Sequence, residues 1–308
     1  MQPTLPPPLL SRLSEIVATR LGLHFPQERW GDLERGIAAS APDFDFQDVA
    51  SCAQWLSTTP PTRRINEVLA SRLSVGETYF YREKQSLETL VEQVFPQLLQ
   101  SRNRERRLRI WSAGCCTGEE AYTIAILLDR LVPDCKAWNI TILATDFNPE
   151  FLRKAVQGVY GEWSFRDAPD WLRKGYFAKR KDGRFEILPH IRKMVTFSYL
   201  NFADDVYPSL SNNTSAMDII FCRNVLMYFT EQRVKQVIGN FTARWLETAG
   251  WSSARQKHRT HCSRLSRQPD SQGECCTGNP QIPGCSHSFA GIRFCRRLKK
   301  LKPRLRYP

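Results

Sequence analysis

The 308-residue chain predicts a doubly wound α/β sheet preceded by an all-helical module, and three observations carry that expectation. Residues 108–128 read as an apolar strand, a turn holding Gly114 and Gly118, and a helix in which Ala121, Ile124, Ala125 and Leu128 recur at helical spacing until Pro133. Later apolar runs each end in a polar residue, the arrangement of an open sheet with a ligand crevice at its carboxyl edge. Upstream of about residue 102 the apolar residues repeat at helical spacing.

In order along the chain, Leu9, Leu10, Leu13, Ile16, Val17 and Leu21 mark an amphipathic helix stopping near Gly22. Further helices are expected near Trp30–Ala38, Asp45–Leu56 and Arg63–Leu73, the last two separated by Pro60-Pro61. Residues 9–102 thus form a helical domain. Its arginines (Arg12, Arg20, Arg29, Arg35, Arg63, Arg64, Arg72) read as solvated helix faces, with a docking surface for an acidic partner as the alternative. Gly76-Glu77-Thr78-Tyr79-Phe80-Tyr81-Arg82 follows, then a helical run from about Gln85 to Leu99.

The short, mostly apolar strand Leu108–Ala113 opens the second domain, residues 103–250. Thr117 and Glu120 stand at the spacing of a capping box. The turn lacks both the Gly-Lys-Ser/Thr of a P-loop and the G-x-G-x-x-G of a dinucleotide site. Glu119 and Glu120 would repel a phosphate there; a ligand bearing hydroxyls and an ammonium group suits them. Helix-dipole stabilisation accounts for either acid, and the capping box accounts for Glu120, which leaves Glu119 as the ligand candidate.

Ile140–Asp146 is a second buried strand. Asp146 stands where a carboxylate accepts from a ribose diol, or alternatively caps the helix starting at Pro149-Glu150-Phe151. Residues 160–195 are rich in aromatics and turns, and Asp182-Gly183 between Phe177-Ala178-Lys179 and Phe185-Glu186-Ile187 predicts a β-hairpin outside the main sheet. Met194–Asn201 and Met217–Asn224 return as strands, followed by a helix near Glu231–Phe241. Four strands therefore end in Gly114, Asp146, Asn201 and Asn224, a polar rim for one ligand.

Ile110-Trp111-Ser112-Ala113-Gly114, Thr117-Gly118-Glu119-Glu120-Ala121-Tyr122, Ala144-Thr145-Asp146 and Phe221-Cys222-Arg223-Asn224-Val225-Leu226-Met227-Tyr228-Phe229, in that order and with Thr78-x-x-x-Arg82 upstream, resemble the CheR family of chemotaxis receptor methyltransferases. The resemblance spans about residues 9–249. It implies an S-adenosylmethionine-dependent methyltransferase sheet, an amino-terminal helical domain, and a small inserted β-subdomain at about 160–195. It further implies methyl transfer from S-adenosylmethionine to glutamate side chains on the cytoplasmic domain of a chemoreceptor, with S-adenosylhomocysteine as product and a monomeric, cytoplasmic enzyme. By position it assigns the cofactor to Thr78, Arg82, Glu119, Asp146, Asn201, Phe202, Arg223 and Asn224, with Asp146 on the ribose hydroxyls. Tyr228 would lie near the transferring methyl, beside an arginine for which Arg102 is the candidate. The sequence departs from the family at Gly76, where many relatives carry Asn.

The residues agree with such chemistry. A glutamate carboxylate is ionised at neutral pH and needs no general base, and neither a Ser-His-Asp nor a Cys-His set is apparent. Nor does any apolar run reach membrane-spanning length, and the amino terminus lacks a charged segment followed by an apolar one, so neither membrane insertion nor secretion is expected.

The net charge of +13 invites a nucleic-acid partner, but residues 251–308 carry 13 Lys/Arg against 2 Asp/Glu, leaving the first 250 residues nearly neutral. A nucleic-acid methyltransferase is disfavoured on that ground. From Trp251 onward the sequence shows no helical, strand or repeat period, and half the cysteines lie there (Cys262, Cys275, Cys276, Cys285, Cys295). The expectation for this basic, Cys-rich tail is out-of-frame translation or disorder; zinc binding and nucleic-acid binding are minority readings, and no metal is assigned. Loss of the last strands of the sheet leaves one alternative function, a non-catalytic module that binds S-adenosylmethionine or receptors.

Overall fold

The computed structural model describes residues 4–204, 206–243 and a short strand at 292–294. Expectations placed on the remainder of 244–308, including out-of-frame translation and zinc or nucleic-acid binding, lie outside the described residues.

The helical module comprises α1 (Pro7–Leu21), α2 (Trp30–Ser40), α3 (Val49–Thr58) and α4 (Arg63–Leu73). Leu10, Leu13, Val17, Leu33, Ile37, Leu56 and Leu69 interlock in its core. Helix α3 begins later than the sequence predicts. Ala41–Phe44 form a 3-10 turn closed by Asp45 at φ 63°, and Asp48 then caps α3 by accepting from the Ser51 amide. Thr62 caps α4 in the same way, accepting from the Ile65 amide.

The single helix expected over Gln85–Leu99 is α5 (Lys84–Thr89) and α6 (Phe95–Ser101) joined by a π turn at Leu90–Val94. Pro96 explains the widening: its ring would strike the carbonyl four residues back in a regular α-helix.

Strands β1 (Arg107–Ala113) and β2 (Asn139–Asp146) then pair in parallel. Helix α7 (Glu119–Leu131) lies between them in sequence, and α8 (Pro149–Gln157) follows β2. The chain next makes a separate three-stranded sheet of β3 (Val159–Tyr160), β4 (Phe177–Lys179) and β5 (Phe185–Ile187), in order β3-β5-β4, with α9 (Asp170–Tyr176) inside it and α10 (Pro189–Arg192) after it. Its hairpin turns at Gly183 with φ 80°. Strands β6 (Val195–Tyr199) and β7 (Ile219–Phe221) rejoin the main sheet, and α11 (Glu231–Ala243) follows.

Among the described residues the main sheet has the order β6-β2-β1-β7-β8, parallel throughout except for β8 (Ile292–Phe294), which pairs antiparallel with β7. That strand was not expected. Ile-Arg-Phe alternates at period two over only three residues, too short a run to stand out in sequence.

Helices and loops cover both faces of the sheet. On one, Ile110, Ile142, Ile219 and Phe221 join α7, α5, α6 and the inserted aromatics Tyr160, Phe165, Phe177 and Phe185 in a continuous core. On the other, Trp111, Leu143 and Ile220 pack with Phe202, Tyr207 and, from α11, Val237 and Phe241. All four parallel strands run the same way, so their carboxyl ends meet at one rim.

Candidate functional site

The rim is built by the turn after β1. Gly114 has φ 83°, and a Cβ there would stand 2.4 Å from a Val225 methyl, so only glycine lets the chain turn while the loop after β7 closes over it. The Gly114 and Cys115 amides both donate to the Thr145 carbonyl, at 2.8 and 2.9 Å, and the Cys116 amide donates to Asp146 Oδ2 at 2.8 Å. The turn is thereby stitched to the end of β2.

A cleft opens above this rim. Its lining includes Thr78, Arg82, Asp146, Asn201, Phe202, Arg223, Asn224 and Tyr228, eight residues singled out from the sequence. Leu23, Phe147, Val225 and Phe229 supply apolar wall, and Glu77 and Glu120 add carboxylates.

Asp146 is 7% exposed. Oδ1 accepts from the Asn148 amide at 2.9 Å, and the Phe147 amide also acts on this carboxylate, whose two oxygens together offer about four acceptor sites. Burial pushes its carboxyl up to about 6, against those amide bonds, which act in the opposite direction. Helix α8 is capped by Asn148, whose side chain accepts from the Glu150 and Phe151 amides; Asp146 is not the cap.

Of the two helix-start acids, Glu120 and not Glu119 lines the cleft. Glu119 is 3% exposed, does not line the cleft, and accepts from the hydroxyls of Thr117 at 2.6 Å and Ser164 at 3.1 Å. It therefore ties the inserted segment to the start of α7. Glu120 faces the cleft, accepting from Ser112 Oγ at 2.7 Å and pairing with Arg223 Nη1 at 3.5 Å. Burial raises both carboxyls. No capping box forms, because Gly118 occupies the cap position at φ 95° with no side chain to donate or accept.

Arg223 is almost wholly enclosed. Its Nη2 donates to the Arg82 carbonyl at 2.7 Å and pairs with Glu83 at 3.1 Å, while its Nε has no partner.

From the cleft outward runs a stack of alternating cations and rings. The Arg82 guanidinium lies 5.6 Å from the Tyr79 ring centroid; Arg166 lies 3.8 Å from the same ring and 4.7 Å from that of Trp163. Arg166 also pairs with Glu77. The stack joins one cleft wall to the inserted segment.

Arg102 does not reach this site. It pairs with Asp218, which precedes β7 and whose carboxylate accepts from the Arg109 amide, at the amino end of the strands. The arginines of the cleft are Arg82 and Arg223. Gly76 has its own packing reason: a Cβ there would lie 2.8 Å from the Phe151 ring.

Among the described residues no cluster of three or more potential metal ligands occurs, and no helix is long and apolar enough to cross a membrane.

Against known proteins, a family model described as CheR methyltransferase, SAM binding domain, matches residues 76–251. The chemotaxis protein methyltransferase of Borreliella burgdorferi is 30% identical over 239 residues, covering 76% of this chain and 82% of that relative. Chemotaxis protein methyltransferase 2 of Vibrio cholerae is 35% identical over 175 residues, 57% of this chain and 59% of its own length. Chemotaxis protein methyltransferase 1 of Pseudomonas aeruginosa is 32% identical over 180 residues, 56% and 63% respectively. The chain thus spans most of the first relative's length and less than two thirds of the other two.

Proposed function

The chain belongs to the CheR methyltransferase family, and from that premise we propose that it methylates glutamate side chains on chemoreceptors, with S-adenosylmethionine as the methyl donor. The observation that carries this reading is the convergence of Asp146, Glu120, Arg223 and Tyr228 on one cleft at the carboxyl ends of the parallel strands.

The residues fit that cofactor. The Asp146 carboxylate, with about four acceptor sites on its two oxygens, suits a ribose diol. The unpartnered Nε of Arg223 suits the carboxylate of the methionyl portion. Glu77, Glu120 and Asp146 place negative charge around a donor that carries an ammonium and a sulfonium. Phe147, Phe202 and Val225 offer apolar surface for a base. When bound, S-adenosylmethionine supplies an electrophilic methyl: a glutamate oxygen bonds to that carbon as the carbon–sulfur bond breaks and sulfur keeps the electron pair.

The protein's own contribution is then alignment and exclusion of water. The substrate carboxylate is already ionised, its ordinary value being about 4.3, so no side chain is asked to remove a proton. Alignment alone can lower such a barrier by roughly 7–11 kcal/mol. Tyr228 stands on the cleft beside Asn224 and Val225, where it would orient the incoming carboxylate and the methyl. Thr78, Arg82, Asn201, Phe202, Arg223 and Asn224 would hold the cofactor, with Glu120 rather than Glu119 as the acid facing it.

The test is transfer of labelled methyl groups from S-adenosylmethionine to a receptor cytoplasmic fragment. Label released as methanol by base, and absent when the receptor glutamates are replaced by alanine, is the expected result. Base-stable label would overturn the glutamate assignment. The change in composition beside residue 251 is what motivates the reading of out-of-frame translation beyond that point; the pairing of β8 (Ile292–Phe294) with β7 stands against it. An intact reading frame on resequencing would refute it.

A further inference from the structure

The helical module meets the cleft at the end of α4, through Ser74 and Val75, and at the turn that ends α1, through Leu23. The Arg20 carbonyl accepts from Asn201 Nδ2 at 2.7 Å. Leu23 forms an isolated antiparallel bridge with Phe229, and the His24 amide donates to the Tyr228 carbonyl at 2.7 Å. Between these contacts Gly22 sits at φ 77°, where an added Cβ would lie 3.2 Å from the Phe229 ring. The side chains of Tyr228 and Phe229 pack against the core of the helical module rather than only against the sheet.

Asn201 and Tyr228 come from opposite sides of the cleft. Asn201 follows β6, at one edge of the main sheet, whereas Tyr228 follows β7, two strands beyond β2. Within the methyltransferase domain Arg233 Nη1, at the start of α11, donates to the Ala203 carbonyl at 3.1 Å, and Leu200 and Phe202 share a cluster with Val225 and Phe229. Asn201 and Tyr228 themselves are hydrogen-bonded to the same five residues of the helical module.

We propose that the turn Arg20–His24 is a positioning element of the methyl-transfer site, setting the Tyr228 loop against Asn201 through the Arg20 carbonyl and the His24 amide. The inference rests on the reading of this cleft as the cofactor and transfer site. It gives the amino-terminal module a role in the geometry of the reaction, separate from any contact with the receptor. The family-model match begins at residue 76 and so does not include this turn.

Two variants test it. Gly22→Ala introduces a side chain at a left-handed residue against Phe229, and His24→Pro deletes the donor to Tyr228 at a position whose side chain is exposed. Leu56→Ala, in α3, is the control: it weakens the same module through a buried residue with none of these bonds to the cleft. Amide hydrogen exchange is read over residues 225–230, calorimetry gives the affinity for S-adenosylmethionine, and a transfer assay gives the rate.

Either turn variant is expected to speed exchange over 225–230 and to lower the transfer rate about tenfold or more, since a small misplacement is costly in an aligned site. Cofactor affinity should fall less than the transfer rate, because of the residues read as holding the cofactor only Asn201 is hydrogen-bonded to this turn. Leu56→Ala should lower the melting temperature without speeding exchange in that segment. Wild-type exchange over 225–230 in both turn variants would overturn the proposal, as would equal acceleration in the control. If the wild-type chain binds no cofactor, the reading of the cleft fails, whereas the exchange comparison still decides whether the turn holds the Tyr228 loop. Should Gly22→Ala not fold, His24→Pro gives the same readout.

Discussion

Replacing Asp146 by alanine should abolish most of the affinity for S-adenosylmethionine, and the pH dependence of binding should identify the group responsible. The carboxylate has two oxygens, which accept from the Cys116 and Asn148 amides and would each accept one ribose hydroxyl. A hydrogen bond to a charged group contributes roughly 1.5–3 kcal/mol. Loss of two such bonds would weaken binding by about 100-fold at the lower end, at 1.4 kcal/mol per tenfold. The alanine also strands the Cys116 and Asn148 amides, so some of the loss would come from a loosened turn. The pH profile of the wild type separates these effects. Burial raises the Asp146 carboxyl to about 6 in the free protein, and the ionised form is the better acceptor for two hydroxyls. Bound ribose therefore draws that value down, and a proton is released on binding near and below pH 6. Affinity should be level above about pH 7 and fall by up to tenfold per unit as the pH drops below about 6. Glu120 is also raised by burial and faces the same cleft; the component that disappears in Asp146→Asn belongs to Asp146. Titration in two buffers of different ionisation enthalpy counts the protons. Affinity that stays level down to about pH 5, or an Asp146→Ala variant within threefold of wild type, would refute the assignment.

Three further outcomes follow from the same geometry. Arg223→Gln leaves Glu83 and Glu120 facing each other without their shared cation; breaking a buried pair costs about 3–5 kcal/mol, read as a lower melting temperature together with at least tenfold weaker cofactor binding by calorimetry. Arg166→Ala removes the cation between Tyr79 and Trp163, each contact being worth about 0.5–1 kcal/mol at a partly exposed site; a change in tryptophan emission and a melting temperature lower by a few degrees are expected, and an unchanged spectrum would count against an intact stack in solution. Tyr228→Phe keeps the ring and its packing but removes the hydroxyl, so cofactor affinity should hold while the transfer rate falls about 100-fold, the size expected for loss of an orienting or transition-state hydrogen bond; an unchanged rate would remove the hydroxyl from the mechanism.

What could be read from the sequence was whatever a single strand or helix reports about itself. Apolar runs ending in Gly114, Asp146, Asn201 and Asn224 marked the strands, and the polar ends marked the rim on which the cleft is built. What could not be read was any relation requiring knowledge of which strands are neighbours. Glu119 and Glu120 illustrate this. Each is the acidic first-turn residue of the same helix, and local rules gave the cap to one and the ligand to the other. Their roles are set by distant partners: β7 lies beside β1, bringing Arg223 to Glu120, and the inserted segment brings Ser164 to Glu119. The Arg102 candidate failed for a related reason. Proximity in sequence to β1 placed it at the amino end of the sheet, where Asp218 holds it, whereas the cleft lies at the other end. Arg82 and Arg223 reach the cleft from segments 141 residues apart, joined by a bond from the Arg223 guanidinium to the Arg82 carbonyl. The same logic explains why the turn after α1 looked like an ordinary helix stop. Gly22 is a helix cap by local rules, and only the folded chain shows Phe229 against it and Tyr228 hydrogen-bonded two residues on. A motif scan recovers the side chains that meet a ligand; the backbone groups that hold those side chains in place carry no residue signature, and so must be found in the fold.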